Sequence, residues 1–436
     1  MSAFQQSMRK LGVRAGLLAG ASAAVLAIGG VSAGSAMAAP TCPNNSVING
    51  RGSSLQKIAQ TEVWTVKYNA ACSNAPKVSY ESTGSGAGLE AMGFNGGVLN
   101  TAFQYIGTDD GPNATQIASA EGAVSNNTKP VIVPVSQTAI SVVVHPPAGC
   151  TFKTGTGITW AELNKAFGGN GITNWNQFSN VTGTCNEAVT RVVRSDGSGT
   201  SYQFKNYLST LETNAGIKAE GLPCTTEGHT KWGELLEVGT GNKPNITWPQ
   251  CSGGTTVTAV NGGGGVASTV ASTSGAIGYA ALPDAKANGA EAARLQNGTV
   301  GTTPTYAEPG NSSTSTARCL NARYTVPAEG RTTGTGVAVD WSTVFGAQPT
   351  IGGSEYPLCT LTYDAGWKSY TGAGFTNAQG EAVYDYINNY VVAPASGQED
   401  LKNAKKWYSP LPTTGGPGSA TDVQSAAEWA AAKINH

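Results

Sequence analysis

Short apolar runs alternate along the chain with turns built from Gly, Ser, Thr and Asn, and the two periods of that alternation separate strands from helices. The run 76–82 (PKVSYES) predicts a strand, TGSGAG a tight turn after it, and LEAMGF a short helix. Residues 101–107 (TAFQYIG) predict a second strand ending in TDDGP. The long β-branched run 131–144 carries a proline break and suits a crossing between two lobes. Residues 159–169 (TWAELNKAFGG) predict a helix from an N-cap Thr to a glycine stop. TRVVRSD reads as a strand, and SYQFKNYLSTLE as a helix with Phe204, Leu208 and Leu211 on one face. Strands are expected again over 274–282 and 356–363, and a helix over 379–392. Two stretches, 258–268 (TAVNGGGGVAS) and 301–317, read as insertions or linkers because glycine or polar residues dominate them. Strands interleaved with helices predict an α/β protein with largely parallel sheets.

Composition adds limits. Arg9, Lys10 and Arg14 precede an apolar run from Gly16 to Val31, and Ala36-Met37-Ala38 follows, which predicts a cleaved secretory signal peptide over 1–38. The formal charge is −1 with 12% charged residues, so no basic footprint for nucleic acid exists. The eight cysteines of an exported chain read as disulfides, and short loops favour sequential pairs 42–72, 150–185, 224–251 and 319–359. With three histidines and no Cys-x-x-Cys, neither a metal site nor a cofactor is expected. His145 and His229 are expected to play bland surface or second-lobe parts.

Candidate chemistry gathers at three strand-to-helix turns: INGRGSSLQKI (48–58), STGSGAGLEAM (82–92) and RSDGSGTSYQF (194–204). Each puts hydroxyls and small residues at a helix start, where free N–H groups and the helix dipole favour an oxyanion. Arg194 adds a planar fork that grips two oxygens, and Asp196 can pair with it or cap the helix. The spacing Gly84-Ser85-Gly86-Ala87-Gly88 is not the G-x-G-x-x-G of a dinucleotide site, and Ser198 lacks the G-x-S-x-G elbow of a hydrolase.

VVRSDGSGTSYQFKNYL closely resembles the signature of the phosphate-binding protein of the high-affinity phosphate ABC importer. INGRGSSL, STGSGAG and IGTDDGP resemble that family's two earlier phosphate loops and its aspartate turn. SGAIGYA, YPLCTLTY and WYSPLP resemble later landmarks in the same order. The resemblance implies a two-lobe type II periplasmic-binding-protein fold with a hinge and an interlobe cleft, lobe 1 over 39–133 plus 340–436 and lobe 2 over 134–339. It implies phosphate ligands Ser54, the Leu55 amide, Ser85, Arg194, Ser198, the Gly199 amide and Thr200. Aligning Gly107 and Pro112 with the family's turn favours Asp110 as the acid, with Asp109 the close runner-up; Asp196 and Asp109 would support the site. An exported, monomeric carrier follows, one that hands inorganic phosphate to the importer's membrane subunits without catalysis. The rivals are a secreted phosphatase or phosphoester binder on the same fold, and a surface or matrix protein that kept the fold. The SAMAAPTC stretch lacks a lipobox leucine, so Cys42 is expected in a disulfide rather than under a lipid. LPTTG (411–415) is not followed by the apolar segment that sorting to a cell wall requires.

Overall fold

The structure is a computed structural model, describing residues 46–435 apart from 73–77, 127, 170, 238, 240–242, 311–318, 320–323, 332–333, 335, 404–406 and 415–418. The expected signal peptide and Cys42 lie outside the described residues.

One nine-stranded sheet runs through the molecule. Its strands are β1 (Ile48–Gly52), β2 (Val78–Ser82), β3 (Tyr105–Thr108), β4 (Pro130–His145), β5 (Thr190–Arg194), β6 (Thr256–Val260), β7 (Ala276–Ala281), β8 (Glu291–Ala292) and β9 (Cys359–Trp367). The order is β2-β1-β3-β9-β4-β7-β5-β6, with β8 also on β4. β1 pairs β2 and β3 in parallel at one end, and β5 pairs β6 and β7 in parallel at the other. The expectation of largely parallel sheets therefore holds at the flanks. The centre is antiparallel, because β4 runs the length of the crossing and pairs β9 up to Ala139 and β7 from Ile140 onward. Fifteen of the sixteen residues of β4 are buried, as a strand covered on both faces requires. The β4–β9 register shifts between Thr362 and Tyr363, where Tyr363 faces Pro134. A proline has no N–H to give the ladder, so a bulge is where a central strand tolerates one.

The helix predictions rest on visible caps. Thr159 accepts from the Glu162 amide at the start of Trp160–Gly168, and Gly169 closes that helix at φ 110. Phe204, Leu208 and Leu211 are fully buried on α2 (Gly199–Thr213), while α1 (Ser85–Ala91) begins inside the stretch read as a tight turn. The 379–392 prediction is met by a helix Asn377–Asp385 continued by a wider turn, Tyr386–Val391.

The 258–268 stretch is not a linker. It forms the end of β6 and the start of α3 (Gly262–Ser272), which faces α4 (Leu282–Ala287). Glycine is a poor helix former, but Val266, Ala267 and Val270 are buried in a small cluster with Val143, Val192 and Ala280, and that packing overrides propensity. Likewise Thr305–Ala307, inside the second expected linker, pairs with Leu295–Asn297. Disulfides join Cys150–Cys185, Cys224–Cys251 and Cys319–Cys359, the sequential pairs expected, and Cys72 is also disulfide-bonded. Leu411 of the LPTTG motif is buried and its amide donates to Gln398, so that end of the motif is tied into the body.

Candidate functional site

The three turns meet. The β1 turn supplies Ser53, Ser54 and Leu55; the β2–α1 turn supplies Ser85; the β5–α2 turn supplies Arg194, Asp196, Ser198, Gly199 and Thr200. Between them stands the turn after β3, with Asp109 and Asp110. Ser85 and Thr200, from opposite sides, both donate to Asp109 Oδ2, at 3.4 and 2.9 Å. Ser53 Oγ and Thr362 Oγ1 donate to Oδ1, the second at 3.0 Å. The Asp109 amide donates to Ser85 Oγ and its carbonyl accepts from Gln203. Gly199 packs against this turn so closely that a Cβ there would lie 2.6 Å from the Asp110 amide nitrogen and 2.8 Å from Ser85 Oγ. Gly86 donates to the Gly197 carbonyl at 3.1 Å, which ties the second turn to the third.

The two neighbouring aspartates face different surroundings. Thr108 Oγ1 bonds both the carbonyl and the amide of Asp110, at 2.8 and 3.1 Å, and fixes the turn. The four hydroxyl bonds all go to the Asp109 carboxylate, so it is this carboxyl that enters the cluster. Asp109 is 1% exposed. Burial pushes its carboxyl up, against the pull of the hydroxyl bonds from Ser53, Thr200 and Thr362 and the charge of Arg194. Asp110 is 3% exposed and is pushed well up by burial, then by the nearby Glu237 carboxyl and by Asp109. Its Oδ2 has no hydrogen-bond partner among the described residues.

Arg194 is 2% exposed, and Asp196 grips its guanidinium at two points: Nε donates to Oδ1 at 2.7 Å and Nη2 to Oδ2. The expected pairing is therefore the one observed, and it fixes the fork's plane. Ser198 caps α2 by accepting from the Ser201 amide at 3.1 Å. Ser54 turns from this cluster toward α3 and accepts from the Gly263 amide at 3.1 Å, while Leu55's amide donates to Ser53 Oγ at 3.0 Å. The structure thus gathers Ser85, Asp109, Gly199 and Thr200 at one point, sets Arg194 beside them, and leaves Ser54 and Asp110 at its margins.

Sequence reasoning passed over Ser53, Gln203, Thr362 and Asp284. Ser53 sits beside a serine that fits the motif, and Thr362 lies in a strand whose bulge is visible in the pairing alone. His145 bonds the Val270 carbonyl through Nδ1 at 3.2 Å and His229 sits in a turn with Thr226, both away from the cluster. Among the described residues no three His, Cys, Asp or Glu side chains gather in metal-binding geometry, and no helix is long and apolar enough to cross a membrane.

Residues 32–359 match the model of a family described as the PBP superfamily domain. The chain is 27% identical over 240 residues to a phosphate-binding protein PstS of Xylella fastidiosa, covering 54% of this chain and 53% of that protein. It is 27% identical over 238 residues to its counterpart in Pasteurella multocida, covering 54% and 56%. The chain thus spans about half the length of the curated relatives it matches. Among solved structures, a periplasmic phosphate-binding protein, PfluDING, superposes with TM-score 0.58 at 20% identity over 89% of this chain and 92% of that one. A phosphate-binding protein from Stenotrophomonas maltophilia superposes with TM-score 0.57 at 18% identity over 88% and 93%. At these identities the likeness establishes the fold.

Proposed function

The chain belongs to the periplasmic-binding-protein superfamily and has its type II fold, and from that premise we propose that it captures inorganic phosphate and delivers it to the membrane subunits of an ABC importer. The observation that carries the reading is the convergence of Ser53, Ser85 and Thr200 on the Asp109 carboxylate, with Arg194 beside it. A tetrahedral oxyanion takes the place those donors define: the hydroxyls and the Gly199 amide turn to its oxygens, and the Arg194 fork holds two of them. Helix starts at Ser85 and Gly199 add N–H groups and a favourable dipole without any counter-cation.

A carboxylate belongs in such an anion site because phosphate near neutral pH carries a proton. Asp109 accepts that hydrogen bond. Sulfate has none to give, and an unpaired buried acceptor costs about 1–3 kcal/mol, more when charged. Asp109 fits this part better than Asp110, which the alignment favours, because the hydroxyls of Ser53, Ser85 and Thr200 converge on the Asp109 carboxylate and the charge of Arg194 acts on it. Ser54 and the Leu55 amide form the first loop's share, and Ser198 holds α2 in place.

The carrier works as an exported monomer, its leader 1–38 removed. Lobe 1 spans 39–133 plus 340–436 and lobe 2 spans 134–339, hinged where β4 and β9 cross. Binding closes the lobes and no bond is broken. A phosphatase is less well supported, because the hydroxyls at the site donate to a carboxylate that Arg194 faces, with no histidine base nearby among the described residues. The test is calorimetry of phosphate-stripped protein against phosphate, sulfate and a phosphate monoester. The reading expects strong heat with phosphate and a much weaker response to sulfate. Equal response to both, or turnover of the ester, contradicts it.

A further inference from the structure

Beside the hydroxyl cluster opens a cleft of about 710 Å³, lined among others by Ser54, Lys57, Asp196, Lys243, Asn261 and Asp284. Its wall is the N-terminus of α3, an eleven-residue helix that starts with four glycines and whose Asn261 gives no side-chain cap. Two of the free amides are already used: Gly262 donates to Asp196 at 3.0 Å and Gly263 to Ser54 at 3.1 Å. Against this helix start lies Asp284 of α4. It is 5% exposed, and its Oδ2 has no hydrogen-bond partner among the described residues. A Cβ on Gly263 would sit 2.2 Å from that oxygen, so glycine is what lets the carboxyl reach the helix mouth. A buried, unsatisfied carboxyl oxygen is costly, and one kept at a cleft beside an anion site calls for a donor from the ligand.

The geometry points to Asp284 as a second acid at the ligand: with Asp109 and Asp284 both at the site, the bound ion and Asp284 together hold one proton more than the monohydrogen ion brings. This rests on the phosphate reading above and adds the number of protons that the occupied site holds. The proton balance is simple. At pH 8 the free ion is chiefly the monohydrogen form, and its one hydroxyl donates to Asp109. A hydrogen bond to Asp284 needs one further proton, taken from solvent and shared between a phosphate oxygen and Oδ2. Both the ion and Asp284 enter that bond as acceptors, so the proton is required whichever oxygen holds it.

The surroundings suit such sharing. Burial pushes the Asp284 carboxyl up to about 7, against the lowering by Arg194 and Lys57 and with a smaller rise from Asp109. Tyr408 also faces it, and Glu62, Asp196 and Lys243 line the same cleft. Of the elements packed on α4, α3 carries no ionisable side chain, while β7 carries Tyr279, β4 His145 and β8 Glu291.

The experiment is calorimetry of phosphate binding to the full chain at pH 8 in buffers of differing ionisation enthalpy, which counts protons taken up per ion. Wild-type protein should take up about one proton per phosphate, and Asp284→Asn close to none. Asp284→Ser serves the same purpose should the amide variant fold poorly. Zero uptake by the wild type, or undiminished uptake by a folded variant that still binds phosphate, overturns the inference while leaving phosphate capture intact. No phosphate heat from the wild type sinks the phosphate reading itself.

Discussion

Gly199→Ala isolates the closing of the site from its chemistry. Gly199 is the first residue of α2, and its φ lies outside the left-handed region, so alanine is at ease in the backbone and is the better helix former. The Gly199 amide itself remains. What changes is the approach of the Asp109–Asp110 turn, since the new methyl would meet the Asp110 nitrogen at 2.6 Å, Ser85 Oγ at 2.8 Å and the Asp109 carbonyl carbon at 2.9 Å. Two of these three are backbone atoms in a turn pinned by Thr108, so they cannot swing aside as a flexible side chain would. Overpacking of this kind costs about 1–3 kcal/mol. If the cost falls on the closed form, phosphate affinity drops by roughly 5- to 150-fold. Calorimetry reads the affinity, and thermal melts without phosphate check that the fold is untouched. Wild-type affinity in a folded Gly199→Ala protein would refute the idea that these two turns close on the ion.

Arg194→Ala should weaken phosphate binding by about 2–5 kcal/mol, measured by the same titration, because a buried charged donor is lost and Asp196 loses its cation. Asp109→Asn should lower the phosphate-to-sulfate affinity ratio, and competition titrations with the two ions read that ratio directly. Asp364 is buried between the Gln60 amide and its neighbours, and burial pushes its carboxyl up to about 8. The folded state therefore holds a proton that the unfolded chain releases near 4. Its contribution to stability is full at acid pH and is lost as pH rises through about 8. Asp364→Asn should flatten that part of the stability curve in urea melts at several pH values. Replacing Cys224 and Cys251 together by serine should cost about 3–4 kcal/mol of stability, visible as a lower Tm, since the bond closes a separation of 27 residues.

Much of the frame was legible because its causes are local. Thr159 and Gly169 mark helix ends by cap chemistry, the β-branched run of β4 marks a long strand, and Arg194 reaches Asp196 two residues away. The pieces that escaped depend on contacts between distant segments. Ser54 meets Gly263 across 209 positions and Asp109 meets Thr362 across 253, which no local period encodes. The glycine run at 262–265 resembles a linker until the buried face of Val266 and Val270 is seen to hold it as helix. Which of Asp109 and Asp110 meets the hydroxyl cluster depends on the turn after Thr108, which that threonine holds by two hydrogen bonds to the Asp110 backbone and which no local pattern encodes.

The central claim meets its most direct test in a crystal structure of the protein grown with phosphate after stripping. The ion should lie within hydrogen-bond reach of Ser85 Oγ, Thr200 Oγ1, the Gly199 amide and the Arg194 guanidinium, with one phosphate oxygen against Asp109. Phosphate found elsewhere, with those four groups still bonded to the protein alone, would contradict the account.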